Sequence, residues 1–226
     1  MTPRNQPVKL GSIMSLLDFK AIAAARAMGE PYRHFLGDHV LDPAGLPDLM
    51  AEFPEIAEPG FYPAADLTLK RRFAELVNEL YAPEFSRAVG EKLEMDLESK
   101  PRLVTIRRWS ALSDGNIHTD SLSKIATTLI YFNEAWSDNG AGRLRVLRGP
   151  KDFNDYTIEV SPTVGTIFGF RRADNSWHGH LPHEGRRRAI QLNWVTSQDV
   201  VDRELGRHRF STRLKKLKGA LVGARG

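Results

Sequence analysis

The stretch Ala126-Thr127-Thr128-Leu129-Ile130-Tyr131-Phe132 is one of six short segments rich in branched or aromatic residues that follow Pro101. The others are residues 103–106, 143–147, 156–160, 164–170 and 189–195. Side chains of this kind fit the pleated, half-buried surface of a sheet. Turn residues such as Asp138-Asn139-Gly140 separate the segments. This half of the sequence therefore predicts a run of short β-strands.

The residues before Pro101 follow a helical pattern instead. Apolar side chains recur at helical spacing over residues 69–80, which predicts an amphipathic helix that Pro83 ends. We also predict a helix over residues 15–28, capped by Ser15 and stopped by Gly29, and a further helix over residues 41–53. Helices followed by strands favour a mainly β fold, an antiparallel sandwich or jelly roll (double-stranded β-helix), with the N-terminal helices packed on one face.

Length and composition indicate a single globular core. The chain has 226 residues, of which 41% are hydrophobic and 27% charged, and this is far from the profile of a disordered chain. A β-fold with flanking helices accommodates that length in one domain. We expect an N-terminal helical arm over 1–30, one domain over 31–200 with a jelly-roll core at about 101–197, and a basic C-terminal tail over 201–226.

The residue types exclude some kinds of chemistry and of location. The sequence contains no cysteine, so it has no disulfide and no thiolate nucleophile, and nitrogen and oxygen must ligate any metal. The most apolar N-terminal run, residues 14–28, is interrupted by Asp18, Lys20 and Arg26. It therefore fits neither a signal peptide nor a membrane span, and we expect a cytoplasmic protein.

The positive charge of the chain is concentrated at its C-terminus. The net charge is +4, and Glu204 is the sole acidic residue from position 203 onward. The basic residues there are Arg203, Arg207, Arg209, Arg213, Lys215, Lys216, Lys218 and Arg225. Basic tails are more often solvated helices than binding surfaces, and no aromatic residues alternate with these charges to stack on bases. The sequence does not favour nucleic-acid binding, and it leaves the oligomeric state open.

Two histidine-bearing segments carry candidate metal ligands. On an extended strand, the period of two places the side chains of His118 and Asp120 on the same face, where they can share one metal. Either His178 or His180 in a second segment could supply another imidazole. Two histidines and one carboxylate form a facial triad that leaves positions open on iron(II). A zinc hydrolase would also need a general base, and no candidate for one stands out.

A cluster of arginines, Arg186-Arg187-Arg188, runs into the last predicted strand. The planar guanidinium group suits a carboxylate, which it can bind through two parallel hydrogen bonds. Arg187 and Arg188 must point to opposite faces of the strand, so one of them can enter the sandwich. The alternative interpretation is an ordinary charged strand end.

Together these segments, from about Arg107 to Val195, resemble the iron(II)/2-oxoglutarate-dependent dioxygenases, and in particular their prolyl-hydroxylase-like branch. His118-x-Asp120 matches the first two iron ligands of that family, and His178 resembles the distal third. The segment from Thr127 to Asn133 is similar to the family strand whose tyrosine, here Tyr131, hydrogen-bonds 2-oxoglutarate. Gly142-x-Leu144 and Pro162-x-x-Gly165-x-x-x-x-Phe170 are similar to the turns and strand that lead to the distal histidine.

The resemblance implies a ligand for each of these positions. Iron(II) would be bound by His118, Asp120 and His178, with His180 as the alternative third ligand. 2-Oxoglutarate would be bound by Arg187, Tyr131 and Thr127. The spacing of nine residues from His178 to Arg187 matches that of the family and favours His178 over His180. The pairing of Arg187 with the small residue Ala189 favours Arg187 over Arg188.

The activity implied is that of an oxygenase, expected to be a hydroxylase. It would convert 2-oxoglutarate and O2 to succinate and CO2 while it oxidises a substrate, a small molecule or a protein side chain, that the sequence does not identify. Ascorbate is a further candidate cofactor. The rival hypothesis is a cupin-like jelly roll that binds a metal or a sugar without turnover.

Overall fold

The computed structural model describes residues 15–137 and 139–207. Within these residues the strands form two antiparallel sheets. The strands are β1 Arg26–Met28, β2 His34–Gly37, β3 Tyr62–Pro63, β4 Arg102–Ser110, β5 Lys124–Tyr131, β6 Leu144–Leu147, β7 Tyr156–Val160, β8 Ile167–Arg171, β9 His178–His180 and β10 Gly185–Val195.

The larger sheet has seven strands in the order β1-β2-β8-β5-β10-β4-β3, and the smaller has the order β7-β6-β9. Strand β10 lies between β5 and β4, so that Gln191 pairs with both Leu129 and Thr105. Apolar side chains of the larger sheet pack into two cores, one shared with the helices and one between the two sheets. This two-sheet architecture with flanking helices confirms the predicted jelly roll.

Alternating side chains of β10 belong to two different cores. Ile190, Leu192 and Trp194 lie in the core shared with the helices, whereas Ala189 lies in the core between the two sheets. The period of two along a strand produces this division, because successive side chains point to opposite faces. The polar residues Gln191 and Asn193 share the face of Ala189, and they line open space beside the inner core.

The helices lie on the outer face of the larger sheet. They are α1 Phe19–Ala24, α2 Leu46–Ala51, α3 Arg71–Tyr81 and α4 Pro83–Leu93, with 3-10 turns at Ala64–Asp66 and Leu112–Asp114. The predicted helix over 69–80 is confirmed as α3. Pro83 does end α3, but it also begins α4, which the sequence pattern did not predict. Proline suits the first turn of a helix, because the N–H that it lacks has no partner there.

The N-terminal helix is shorter than predicted. Asp18, rather than Ser15, caps α1 by accepting hydrogen bonds from the backbone N–H of Lys20 and Ala21 at 2.9 and 3.0 Å. The chain then enters β1, which pairs with β2, so the helix predicted to run to residue 28 is wrong beyond Ala24. Pairing with β2, the next strand along the chain, satisfies backbone groups of 26–28 and overrides the local helical pattern. The arm expected over residues 1–30 is thus partly an edge strand of the larger sheet.

Two other predicted boundaries differ from the observed ones. The helix predicted over 41–53 is reduced to α2, Leu46–Ala51, with Pro47 in its first turn. Residues 198–207 are also helical, as far as the structure describes them, and we call them α5. The predicted start of the basic tail at residue 201 therefore falls inside a helix.

Helix α5 packs on the end of the larger sheet. Val200 and Val201 are buried against Leu103 of β4 and Val195 of β10. The rest of the predicted tail lies outside the described residues. Every helix that the structure describes is too short or too polar to cross a membrane.

Candidate metal centre

Three side chains form a group that can hold a metal ion. One ligand atom from each of His118, Asp120 and His178 lies within 4.8 Å of the other two. The donors are two imidazole nitrogens and a carboxylate oxygen, the set that binds iron(II) in a facial triad with open coordination positions. The third member of this group is His178 and not the alternative His180.

An antiparallel bridge brings the two histidines together. The backbone N–H of each donates to the carbonyl oxygen of the other at 2.9 Å, between His118 and His178. Their ring centroids are 4.4 Å apart. The sequence predicted a strand at His118, but the contact is an isolated bridge that extends the edge of the smaller sheet beyond β9. Asp120 follows two residues later on the same side.

The second nitrogen of each histidine fixes the state of the ring. Nδ1 of His118 lies 3.0 Å from the carbonyl oxygen of Asn116, and Nδ1 of His178 lies 2.9 Å from that of Ser176. A carbonyl only accepts, so Nδ1 must carry the proton and Nε2 keeps a free lone pair. Backbone carbonyls orient metal-binding histidines in this way in many proteins. Both rings are therefore prepared to bind a metal through Nε2.

Asp120 is a buried carboxylate that stays charged. Burial by itself would raise the pKa of Asp120, but nearby Lys124 and His178, together with hydrogen bonds, hold the pKa below its usual value. Lys124 Nζ lies 2.8 Å from Oδ1, and the Thr127 hydroxyl lies 2.5 Å from Oδ2. Two neighbours thus orient the carboxylate. Lys124 was not predicted from the sequence, because residues four positions apart on a strand do not contact each other. The contact of Lys124 with Asp120 depends on the turn between these two residues.

Burial also keeps His178 neutral. It lowers the pKa of His178 to about 4, with a further lowering by His118 and an opposing effect of Asp120. The pKa of His180 falls to about 3, first through burial and then through the charge of Arg187. Both rings are uncharged at neutral pH, as a metal-binding imidazole must be.

A cavity of about 250 Å³ adjoins the three metal-binding candidates. Arg187 lines it and is 2% exposed, and its Nε donates to the carbonyl oxygen of Gly142 at 2.8 Å. Arg188 points to the other face of β10, where its guanidinium group lies over the ring of Phe53. The strand geometry therefore directs Arg187, as the sequence predicted, into the cavity.

Two other predicted cofactor residues have different positions from those expected. Tyr131 is completely buried beneath the Arg187 guanidinium, 5.5 Å from ring centroid to Cζ, rather than at the cavity surface. Its hydroxyl makes no hydrogen bond of normal geometry within the described residues. Thr127 does line the cavity, but its hydroxyl is directed to Asp120 and Asn193. Thr127 thus contacts the candidate metal ligand in this structure.

A second arginine, Arg107, enters the same cavity and was not identified from the sequence. It is 7% exposed, and its guanidinium group lies over the ring of Phe61. Burial and the charge of Arg187 lower the pKa of Arg107 to about 10. The alternation of side chains along a strand could have identified Arg107. Arg107 comes two residues after Thr105, at the end of a predicted strand, and therefore lies on the same face as Thr105.

A larger groove of about 650 Å³ opens from the metal-binding group toward α5. Polar side chains of Thr105, Gln191 and Asn193 line one part of it, and apolar Leu103 and Val200 line another. His118, Asp120 and Lys124 line both the groove and the smaller cavity. The candidate metal ligands thus lie where the two spaces meet.

Fold and site together define a metal-binding jelly roll whose two histidines and one carboxylate adjoin an arginine-lined cavity. Residues 107–196 match the family model of the 2OG-Fe(II) oxygenase superfamily. This part of the chain is therefore similar to the 2OG-Fe(II) oxygenases, whose cofactors are iron(II) and 2-oxoglutarate, and it contains all three candidate metal ligands. The resemblance predicted from the sequence is confirmed at this level.

Solved structures show a similar fold. A prolyl 4-hydroxylase from Phytophthora capsici is 17% identical with a TM-score of 0.57, and the match covers 85% of this chain and 69% of that one. A prolyl-4-hydroxylase from Pseudomonas putida is 18% identical with a TM-score of 0.47, over 72% of this chain and 84% of that one. No curated protein matches the chain at a significant level.

Proposed function

We propose that this protein is an iron(II)- and 2-oxoglutarate-dependent oxygenase in which His118, Asp120 and His178 bind the metal. The observation that carries the proposal is the common tautomer of both histidines. Their Nδ1 atoms contact backbone carbonyls, which leaves Nε2 free near the buried carboxylate of Asp120. A merely structural pair of histidines would not need a common tautomer that keeps both Nε2 atoms available near one carboxylate.

The cavity fits the second cofactor by size and by charge. About 250 Å³ corresponds to roughly eight waters at ~30 Å³ each, which is room for a small diacid rather than a drug-sized ligand. Arg187 would bind the carboxylate remote from the metal. When both are bound, iron(II) and 2-oxoglutarate supply the oxidising chemistry, with O2 as the oxidant and succinate and CO2 as products.

The protein's own contribution is to position the reactants and to exclude water. Arg187 is almost completely buried, so that a carboxylate bound to it is shielded from competing solvent. Lys124 and Thr127 hold the two oxygens of Asp120, and this limits the orientations in which the carboxylate can meet a metal.

We place the substrate in the groove between the metal-binding group and α5. Its lining of amides and apolar side chains suits an uncharged polar group, since Lys124 is paired with Asp120 and Arg207 with Glu204. Hydroxylation is the outcome we propose.

The test is anaerobic titration of the purified protein with iron(II) and then with 2-oxoglutarate. We expect a weak visible charge-transfer band that grows with 2-oxoglutarate, and slow succinate release when O2 is admitted. Zinc-loaded protein is the control, because zinc has no redox chemistry and gives no such band. Iron binding without any 2-oxoglutarate binding would instead support the cupin-like metal-binding hypothesis.

A further inference from the structure

Two neighbouring strands carry the same arrangement of arginines. Strand β4 contains Arg107 followed by Arg108, and β10 contains Arg187 followed by Arg188. In each pair the first arginine lines the small cavity. The second lies on the outer face, where Arg108 pairs with Glu55 and Arg188 covers Phe53. The cavity thus receives two guanidinium groups.

Strand register directs these two groups toward one place. Ala189 pairs with Arg107 of β4 on one side and with Tyr131 of β5 on the other. Residues directly opposite in an antiparallel sheet project from the same face. Arg187 lies between Arg186 and Ala189, where the pairing of β10 with β4 shifts register, and its side chain lines the same cavity as Arg107. The small methyl group of Ala189 leaves the space between the longer side chains unfilled.

The charges in this space are not balanced. Arg107 is 7% exposed, its Nε has no hydrogen-bond partner, and its one ion pair is with Asp114 at 3.4 Å. The Asp114 carboxylate also accepts hydrogen bonds from the Ser110 hydroxyl and the Ala111 N–H. Arg187 makes its hydrogen bond with a neutral carbonyl. Within the described part of the chain, Asp114 is the one carboxylate that forms an ion pair with either arginine, because Asp120, which also lines the cavity, is paired with Lys124. A buried charge without a partner is costly.

We propose that Arg107 is a second binding residue for the carboxylate of 2-oxoglutarate remote from the metal, so that this carboxylate is held between Arg107 and Arg187. The inference rests on the proposed function, because it assigns the other end of 2-oxoglutarate to the metal. One carboxylate would supply the missing negative charge. It would also accept a hydrogen bond from the unpartnered Nε of Arg107, since a carboxylate has enough acceptor sites for two guanidinium groups.

The test compares two ligands that differ only at the remote end. 2-Oxopentanoate has a methyl group where 2-oxoglutarate has this carboxylate. Affinities for both are measured by anaerobic titration of iron(II)-loaded protein, from the charge-transfer band and from the heat of binding. In the Arg107→Met variant we expect 2-oxoglutarate to bind at least tenfold more weakly, which is ~1.4 kcal/mol, while 2-oxopentanoate changes less than about threefold.

The Arg108→Met variant is the matched control, and both ligands should bind to it as to the wild type. The metal- and ligand-free Arg107→Met protein should be as thermally stable as the wild type or more so, because a buried cation next to Arg187 has been removed. Should this variant fail to fold, Arg107→Lys takes its place. Lysine keeps the charge but loses the planar fork, so the preference for 2-oxoglutarate should still fall.

The outcomes separate the inference from the proposed function. If wild-type protein binds iron(II) but not 2-oxoglutarate, the proposed function fails and the inference fails with it. If wild-type protein binds 2-oxoglutarate and Arg107→Met binds it equally well, or loses both ligands to the same extent, only the role of Arg107 is refuted. A selective loss of 2-oxoglutarate supports both.

Discussion

The role of a single residue in this protein depends on its surroundings in the fold as well as on the local sequence. Asp120 is the clearest case, since the His-x-Asp pattern by itself is common. Its importance follows from burial among Lys124, Thr127 and His178, which together keep it ionised. Because Asp120 is the sole anion in the group, it should contribute most of the electrostatic attraction to a divalent cation.

We predict that Asp120→Ala lowers the affinity for iron(II) by more than about 100-fold, since changes to the surroundings of a ligand alone typically cost 10–100-fold. Isothermal titration under anaerobic conditions measures this affinity. Asp174→Ala removes an exposed carboxylate paired with Arg172 and is the control, which should bind iron(II) normally. Wild-type affinity in Asp120→Ala would remove Asp120 from the metal site.

His34 is a buried histidine remote from the candidate ligands in sequence, and it makes stability depend on pH. Burial, and to a smaller extent Arg33, lower the pKa of His34 below 6.5, against the opposing hydrogen bond to the Tyr32 carbonyl. The unfolded chain then binds more protons than the folded chain as the pH falls below 6.5. Stability is therefore complete above that pH and is lost progressively toward the folded pKa.

We predict that His34→Gln weakens this pH dependence, because glutamine does not titrate and can still donate to the Tyr32 carbonyl. Urea unfolding of the metal-free protein between pH 7 and pH 5 measures it. His39→Asn, a change at an exposed histidine with positive φ that asparagine tolerates, should keep the wild-type slope. Equal slopes in wild type and His34→Gln would show that other groups cause the acid sensitivity.

Strand β10 contributes side chains both to the hydrophobic core and to the candidate site. One of its faces packs on the helices through Ile190, Leu192 and Trp194, and the other carries Arg187, Gln191 and Asn193 to the cavity and groove. Core and site therefore depend on one register. A shift of one residue would exchange the two faces and place apolar side chains in the cavity.

The two adjacent arginines of β10 test this register. We predict that Arg187→Ala weakens 2-oxoglutarate binding at least tenfold, because it removes a charge-assisted contact from a buried site, and that it leaves iron(II) binding nearly unchanged. Arg188→Ala should bind both as the wild type does. Titration with each ligand in turn measures the two affinities. The reverse pattern, with Arg188→Ala defective, would contradict the observed strand faces.

The whole molecule combines a two-sheet sandwich with helices from both ends of the chain. Helix α5 covers Leu103 and Val195 at the edge of the larger sheet and forms one wall of the groove. Six of the eight basic residues found from position 203 onward follow it. Since the residues proposed to bind the two cofactors lie between Arg107 and Arg187, neither cofactor should require the basic segment.

We predict that a chain ending at Phe210 binds iron(II) and 2-oxoglutarate with wild-type affinity. A chain ending at Thr196, which also lacks α5, should lose at least ~3 kcal/mol of unfolding free energy, because burial of each Val or Leu side chain contributes ~1.5–3 kcal/mol. Calorimetry and ligand titration on both chains provide the measurements. Loss of 2-oxoglutarate binding in the longer chain, while it remains folded, would show that the basic segment contributes to the site.

Much of the fold could be read from the sequence because its signals are local. The branched and aromatic residues of segments such as 126–132 and 189–195, with turn residues between them, identified the strands, and the helical spacing over 69–80 identified α3. The errors have local causes too. Residues 25–28 have an apolar helical pattern but pair with β2, and Pro83 reads as a stop although it also begins α4. In both cases a contact outside the segment decides between two locally acceptable structures.

The sequence by itself determined the jelly-roll class, the histidine and carboxylate types of the metal site, and the arginine-bearing strand. The family spacing already favoured His178 over His180, and the structure brings His178 together with His118 and Asp120. Only the tertiary structure decided that Arg107 enters the cavity with Arg187. Alternation along one strand defines which side chains share a face, but it does not define the strand that lies opposite. Register between strands far apart in sequence depends on the packing of the whole sandwich, and the candidate site lies where those strands meet.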